Sequence, residues 1–111
     1  MKEIRTGSAS HKDEGKLRVD LLPPELEEGI AAILTYGCVK YEERNWEKGM
    51  LYMKMYASIR RHLLSWLKGE DADVESGFPH MWHIATDAMM IATWQERRFI
   101  QLDNRPVRMP K

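Results

Sequence analysis

Apolar positions recur along this chain at helical rather than strand spacing. From Pro24 to about Glu43, Leu26, Ile30, Ile33, Leu34 and Tyr41 follow one another at steps that keep them on one helical face. Pro24 suits a first helical position, and Glu25, Glu27 and Glu28 fall where the helix dipole favours negative charge. Gly37 is a point at which this helix could be interrupted. A second helix is expected from about Met50 to Lys68, with Met53, Tyr56, Ile59, Leu63 and Leu67 as its apolar stripe and Gly69 as its C-terminal cap. A third should run from Pro79 to about Phe99, with Met81, Ile84, Ala88 and Ile91 in one apolar row and Ala85, Met89 and Ala92 beside it. No segment has the alternation of a strand, and no internal repeat is found. The pattern predicts an all-α fold, a small helical bundle of three to four helices.

The ends differ from this middle. Residues 1–19 are polar and rich in Gly, Ser and Lys, and are expected to form a flexible or extended N-terminal arm. Residues 20–102 make the single helical domain, and residues 103–111, with two prolines, a loose tail. The length of 111 residues suits one domain and not two.

One row breaks the apolar pattern of the third helix. His80, His83 and Asp87 stand at i, i+3 and i+7, on one helical face, and Trp94 continues the row. Imidazoles and a carboxylate beside a core stripe are costly to bury without partners. Two readings are open: a metal or phosphate site inside the bundle, or a solvated face with histidines bonded to backbone. The preceding loop carries Glu70, Asp71, Asp73 and Glu75, oxygen donors of the kind hard cations prefer. It is not an EF-hand, because Ser76 and Trp82 replace the required glycine and glutamate. As a solvated acidic loop it would need no ion. Arg60, Arg61 and His62 lie mid-way along the second helix, and Lys40, Arg44 and Lys48 surround Trp46. Arginine can grip phosphate oxygens and tryptophan can stack on a base, but the same residues also serve as surface ion pairs and loop packing.

Composition narrows the classes. With 17 basic and 17 acidic residues the chain is formally neutral, which argues against a general nucleic-acid binder. The lone Cys38 forms no internal disulfide and points to a reducing compartment, where it should act as a small hydrophobe. No apolar run approaches a membrane span and no signal core follows Met1, so a cytoplasmic location without membrane contact is expected. Eight methionines and four tryptophans suggest exposed apolar surface and a homo-oligomer. There is no G-x-x-x-x-G-K loop, no paired-cysteine zinc pattern and no G-x-S-x-G elbow. His83 and Asp87 are not adjacent, unlike the dipeptide of HD phosphohydrolases, which weakens that reading.

Several blocks, in order, resemble one family. They are Gly15-Lys16-Leu17-Arg18-Val19-Asp20-Leu21-Leu22-Pro23-Pro24; Tyr36-Gly37-Cys38-Val39-Lys40-Tyr41 with Asn45-Trp46 and Lys48-Gly49; and Arg61-His62, Trp66, Gly69-Glu70-Asp71, Asp73, Glu75-Ser76-Gly77, His80 and His83. Over roughly residues 12–94 the chain resembles the phage dATP/dGTP diphosphohydrolases, a family related to MazG-like all-α nucleotide pyrophosphohydrolases. The resemblance implies metal-dependent hydrolysis of a (deoxy)purine nucleoside triphosphate to monophosphate and pyrophosphate, with magnesium or manganese as the divalent cofactor. On that reading Glu70, Asp73, Glu75, His80, His83 and Asp87 form the metal side. His62, with Glu70 and Asp73, would be catalytic. Lys40, Lys48 and Arg61 would bind phosphate, with Asn45 and Trp46 near the base. The chain departs from the MazG-like pattern of E-x-x-E and E-x-x-D on facing helices. Glu70 and Asp73 spell the second motif in a loop, and Glu25 and Glu28 spell the first at a helix start. That departure keeps an alternative open, a phage protein that binds or sequesters a nucleotide or nucleotide signal without hydrolysing it.

Overall fold

A computed structural model describes residues 14–107 and 109–110. The first thirteen residues of the expected arm lie outside the described residues. Three α-helices form the body: α1 (Pro24–Lys40), α2 (Tyr52–Leu67) and α3 (His80–Glu96), with short 3-10 turns at Val19–Leu21, Asn45–Lys48 and Ile100–Leu102. Among the described residues there is no strand, only an isolated bridge between Ala72 and Pro79. Among the described residues no helix is long and apolar enough to cross a membrane.

The helix boundaries have local causes. Pro24 opens α1 without wasting a backbone donor, and Glu25 and Glu27 occupy its first turn. Gly37 does not interrupt it. The helix instead ends at Lys40, three residues before the expected limit, where Tyr41 turns extended and its N–H bonds Gly37 O at 2.8 Å. The end of α2 is a Schellman motif. Gly69 takes φ 98°, its N–H bonds Trp66 O at 2.9 Å, and the N–H of Glu70 reaches back to Ser65 O at 3.1 Å. The polar stretch before α2, expected as a plain connection, holds the 3-10 turn Asn45–Lys48.

Helix α3 is the shared element. It packs against both α1 and α2, while contact between α1 and α2 is slight. The core is small and sits at the C-terminal end of α3. Trp94 is fully buried, stacks with Tyr52 at 6.5 Å between ring centroids, and donates its indole N–H to Trp46 O at 2.9 Å. Met55 completes the buried group, with Trp46, Met90, Ile91, Phe99 and Leu102 packed around it.

The faces turned inward differ from the apolar stripes expected from the sequence. On α2 the buried side chains are Tyr52 and Met55, whereas Tyr56, Leu63 and Leu67 are exposed. On α3 the fully buried side chains are His80, Thr86 and Trp94, and Met81 and Ala88 are exposed. The polar row therefore points into the molecule, with Ile84 and Ile91 of the neighbouring apolar row half-buried beside it. Thr86 meets the cost of burial by bonding Trp82 O within its own helix at 2.7 Å. Cys38, expected among apolar neighbours, is exposed.

Two glycines in α1 have opposite roles. A Cβ on Gly29 would lie 2.5 Å from Trp82 Cδ2, so α1 and α3 approach closely only because that Cβ is missing. At Gly37 a Cβ would meet nothing within 4 Å. Gly29→Ala should therefore cost about 1–3 kcal/mol by overpacking. Gly37→Ala should stabilise by about 0.5–1 kcal/mol by restricting the unfolded chain. Urea unfolding of the two variants checks both signs.

Candidate functional site

The loop from Gly69 to Pro79 is folded tightly enough to place side chains. The N–H of Asp73 bonds Phe78 O at 2.8 Å, that of Gly77 bonds Asp73 O at 2.7 Å, and that of His80 bonds Asp71 O at 2.9 Å. Gly77 takes φ 79°, a conformation a side chain would strain. The Asp73 carboxylate accepts the Ser76 N–H at 2.9 Å. The Schellman turn sets Glu70 at the loop's other end, where its carboxylate meets the first residue of α3.

Three imidazoles converge beside this loop. His80 is 2 % exposed, and both its ring nitrogens are engaged. Nε2 lies 2.7 Å from Glu70 Oε1, and Nδ1 lies 2.8 Å from Nδ1 of His62 on α2. An ionised Glu70 can only accept, so Nε2 of His80 carries a proton. A neutral His80 then presents a bare Nδ1, and His62 Nδ1–H donates to it. His83, one turn along α3, stacks on His62 at 4.6 Å between centroids and 6° between planes, and its Nε2 lies 2.7 Å from Ser76 Oγ. His62, Asp73 and His80 each offer one ligand atom, all within 4.8 Å of one another. The chemistry of these donors, two imidazole nitrogens and a carboxylate oxygen close to one another, fits a divalent ion.

Burial holds His62 below the ordinary imidazole value, as does the repulsion that charges shared with His83 or His80 would bring, despite Asp73 nearby. Burial likewise lowers His83, with Asp73 opposing. Both rings therefore stay neutral with lone pairs available at neutral pH. Burial works to raise Asp73, but the Ser76 hydrogen bonds and the two imidazoles outweigh it, so its carboxyl is held low. Asp87 behaves oppositely. Burial pushes its carboxyl up to about 6, against the Ser58 hydrogen bond at 2.8 Å and the Arg61 charge.

These groups line one cleft of about 850 Å³ between α1 and α2, floored by α3. His80, His83, Asp87 and Met90 follow one another along its floor, a run of about 15 Å at helical rise. Lys40, Asn45, Trp46, Arg61, His62, Asp73 and Glu75 also line it. The cleft thus joins most of the candidate residues named from the sequence, with distinctions. Lys48 is not among its lining and pairs with Glu42. Glu75 pairs with Lys40 at 2.9 Å rather than joining the histidine cluster. Glu70 stands behind His80, and Asp87 holds Ser58 a turn beyond His83. Trp46 is half-buried against the core, with the Arg97 guanidinium 6.0 Å from its ring centroid. Arg61 has no ion pair within 4.0 Å among the described residues, though its charge acts on the nearby Asp87, and it lines the cleft wall.

Sequence reasoning missed Ser58, Ser65 and Lys54 on α2 and Ser76 in the loop. A signal for the first three was present. Lys54, Ser58, Arg61, His62 and Ser65 form a polar stripe at helical spacing, and that stripe is the cleft wall.

The raised Asp87 has a stability consequence. Its folded value lies above the unfolded one, so the ionised carboxylate costs stability above about pH 6, and the cost vanishes below about pH 4. Asp87→Asn, which keeps an acceptor for Ser58, should be more stable than the parent at pH 8 by about 3 kcal/mol, with the difference gone at pH 4. Thermal or denaturant unfolding at the two pH values checks it.

The model of the family described as dATP/dGTP diphosphohydrolase, N-terminal, matches residues 6–105. A curated relative from Salmonella phage PMBT28, named dATP/dGTP diphosphohydrolase, is 34% identical over 94 residues, covering 85% of this chain and 30% of its own length. The chain therefore spans under a third of that relative. No solved structure matches. The chain belongs to the dATP/dGTP diphosphohydrolase N-terminal family.

Proposed function

We propose that the cleft hydrolyses a deoxypurine nucleoside triphosphate to the monophosphate and pyrophosphate, assisted by a divalent ion. The observation that carries this reading is the cleft itself. It joins the His62–Asp73–His80 donor set to an unpaired Arg61 within a volume of about 850 Å³, the size of a small-molecule site. The name of the phage relative supplies the substrate class, dATP and dGTP.

The reaction adds a water oxygen to the α-phosphorus and breaks the bond from that phosphorus to the bridging oxygen, releasing pyrophosphate. A divalent ion held by His62, Asp73 and His80 would neutralise phosphate charge and make hydroxide available near neutral pH. Arg61 offers a planar fork for phosphate oxygens. Lys40 offers a second positive charge, partly neutralised by Glu75. Asp87, ionised above about pH 6, and His83, held neutral, are the cleft groups able to take the proton of the attacking water. Asn45 and Trp46 lie at the cleft's Trp94 end, where a base would meet an amide and an indole.

The purified chain, given a panel of deoxynucleoside triphosphates with divalent ions, should release monophosphate and pyrophosphate from dATP and dGTP, read by chromatography. Nucleotide that is retained and recovered intact would instead identify a binding module. Arg61→Ala should lower kcat/KM about tenfold to a hundredfold, the loss expected for a charged hydrogen bond to phosphate.

We also infer that copies of the chain associate. Leu63, Leu64, Trp66 and Leu67 on the C-terminal half of α2 are exposed, Leu67 by 73 %. Contiguous apolar surface of this kind is normally covered. Light scattering should give a mass above that of one chain, and Leu67→Glu should reduce it; a single-chain mass for the parent would refute association.

A further inference from the structure

The donor set in the cleft says more about the ion than the resemblance to known hydrolases did. Magnesium is bound through oxygen and keeps much of its water. The donors that come together here are two imidazole nitrogens and one carboxylate, and Asp71 is not among them, while two further acids of the loop are engaged elsewhere. Glu75 pairs with Lys40, and Glu70 bonds the far nitrogen of His80. Imidazole suits zinc, cobalt, nickel and iron, and two histidines with one carboxylate leave positions open for water or substrate.

The geometry of the pair supports this. Two nitrogens each bound to zinc at about 2.0–2.1 Å lie roughly 2.9–3.4 Å apart. His62 Nδ1 and His80 Nδ1 already stand 2.8 Å apart. Exchange of the shared proton for an ion therefore needs the two nitrogens to part by only a few tenths of an ångström, with both rings tilting so that their lone pairs meet at the ion instead of at each other. Glu70 completes the arrangement. By accepting Nε2–H of the buried His80, it fixes the tautomer whose Nδ1 lone pair faces the cleft, as carboxylates behind metal-bound histidines do. Asp73 is prepared as well, since its carboxylate is oriented by the Ser76 N–H.

We propose that His62 Nδ1, His80 Nδ1 and an Asp73 carboxylate oxygen form a resident site for one nitrogen-preferring divalent transition ion, of the zinc or cobalt class, with Glu70 orienting His80 from behind. Magnesium does not compete for this site, and reaches the cleft only on the phosphates of a nucleotide. The inference rests on the cleft being the working site of the proposed function, but its test reads metal binding alone.

The experiment titrates cobalt into chelator-stripped protein and follows the visible d–d absorption of bound Co²⁺. One equivalent should saturate a spectrum of low coordination number, zinc should abolish it stoichiometrically, and excess magnesium should leave it unchanged. His62→Ala and Asp73→Asn should abolish or strongly weaken binding while retaining helical circular dichroism. Glu70→Ala should weaken it about tenfold to a hundredfold. Asp87→Asn, about two turns along α3 from His80, should keep it. An absent cobalt spectrum, displacement by magnesium, or an unchanged spectrum in folded His62→Ala overturns the proposal. A bound ion without triphosphate hydrolysis overturns the functional reading and leaves the site standing. Hydrolysis sustained by magnesium in protein that binds no cobalt does the reverse.

Discussion

The structure turns on a buried histidine that must satisfy two ring nitrogens. His80 begins α3, lies almost wholly out of water, and has a polar partner on each side. An unpartnered imidazole there would cost several times a typical hydrogen bond. Glu70 and His62 supply the partners, and in doing so they join three segments. The loop after α2 is held to the start of α3, and the middle of α2 is held to both. The backbone bond from His80 N–H to Asp71 O adds a second tie between the same loop and helix.

Around that junction the architecture is open. With α3 packed against α1 and α2 and little contact between the outer helices, the groove between them is not filled by side chains. The hydrophobic core is displaced to the Trp94 end, so the His80 end is free to carry polar groups. This division of labour along one helix explains how so short a chain has both a core and a cleft. It also explains why Gly29 matters: α1 can lie close to α3 at Trp82 only without a side chain there.

Much of this was legible in the sequence. Helical period marked all three helices, Gly69 marked the end of α2, and the spacing of His80, His83 and Asp87 marked the cleft floor. What was hidden was which face points inward. Hydropathy places Leu63 and Leu67 inside, yet α2 turns its polar stripe toward the cleft and leaves those leucines exposed. Local pattern carries no information on pairing across elements, so the meeting of His62 with His80, eighteen positions apart, was not foreseeable beyond general opposition. Ion pairing also redistributed the acids. The loop reads as a cluster of equivalent carboxylates, but Lys40 takes Glu75, His80 takes Glu70, and of Asp71 and Asp73 only Asp73 lies with His62 and His80 in the donor set.

The account stands most directly on the facing Nδ1 atoms of His62 and His80. Nitrogen-15 NMR of the imidazoles in metal-free protein, repeated with one equivalent of zinc, observes those atoms themselves. The account predicts a protonated Nε2 on His80 in both states, and Nδ1 resonances of His62 and His80 that move together on zinc addition to values of metal-bound nitrogen. A His80 protonated at Nδ1, or Nδ1 resonances indifferent to zinc, would contradict it.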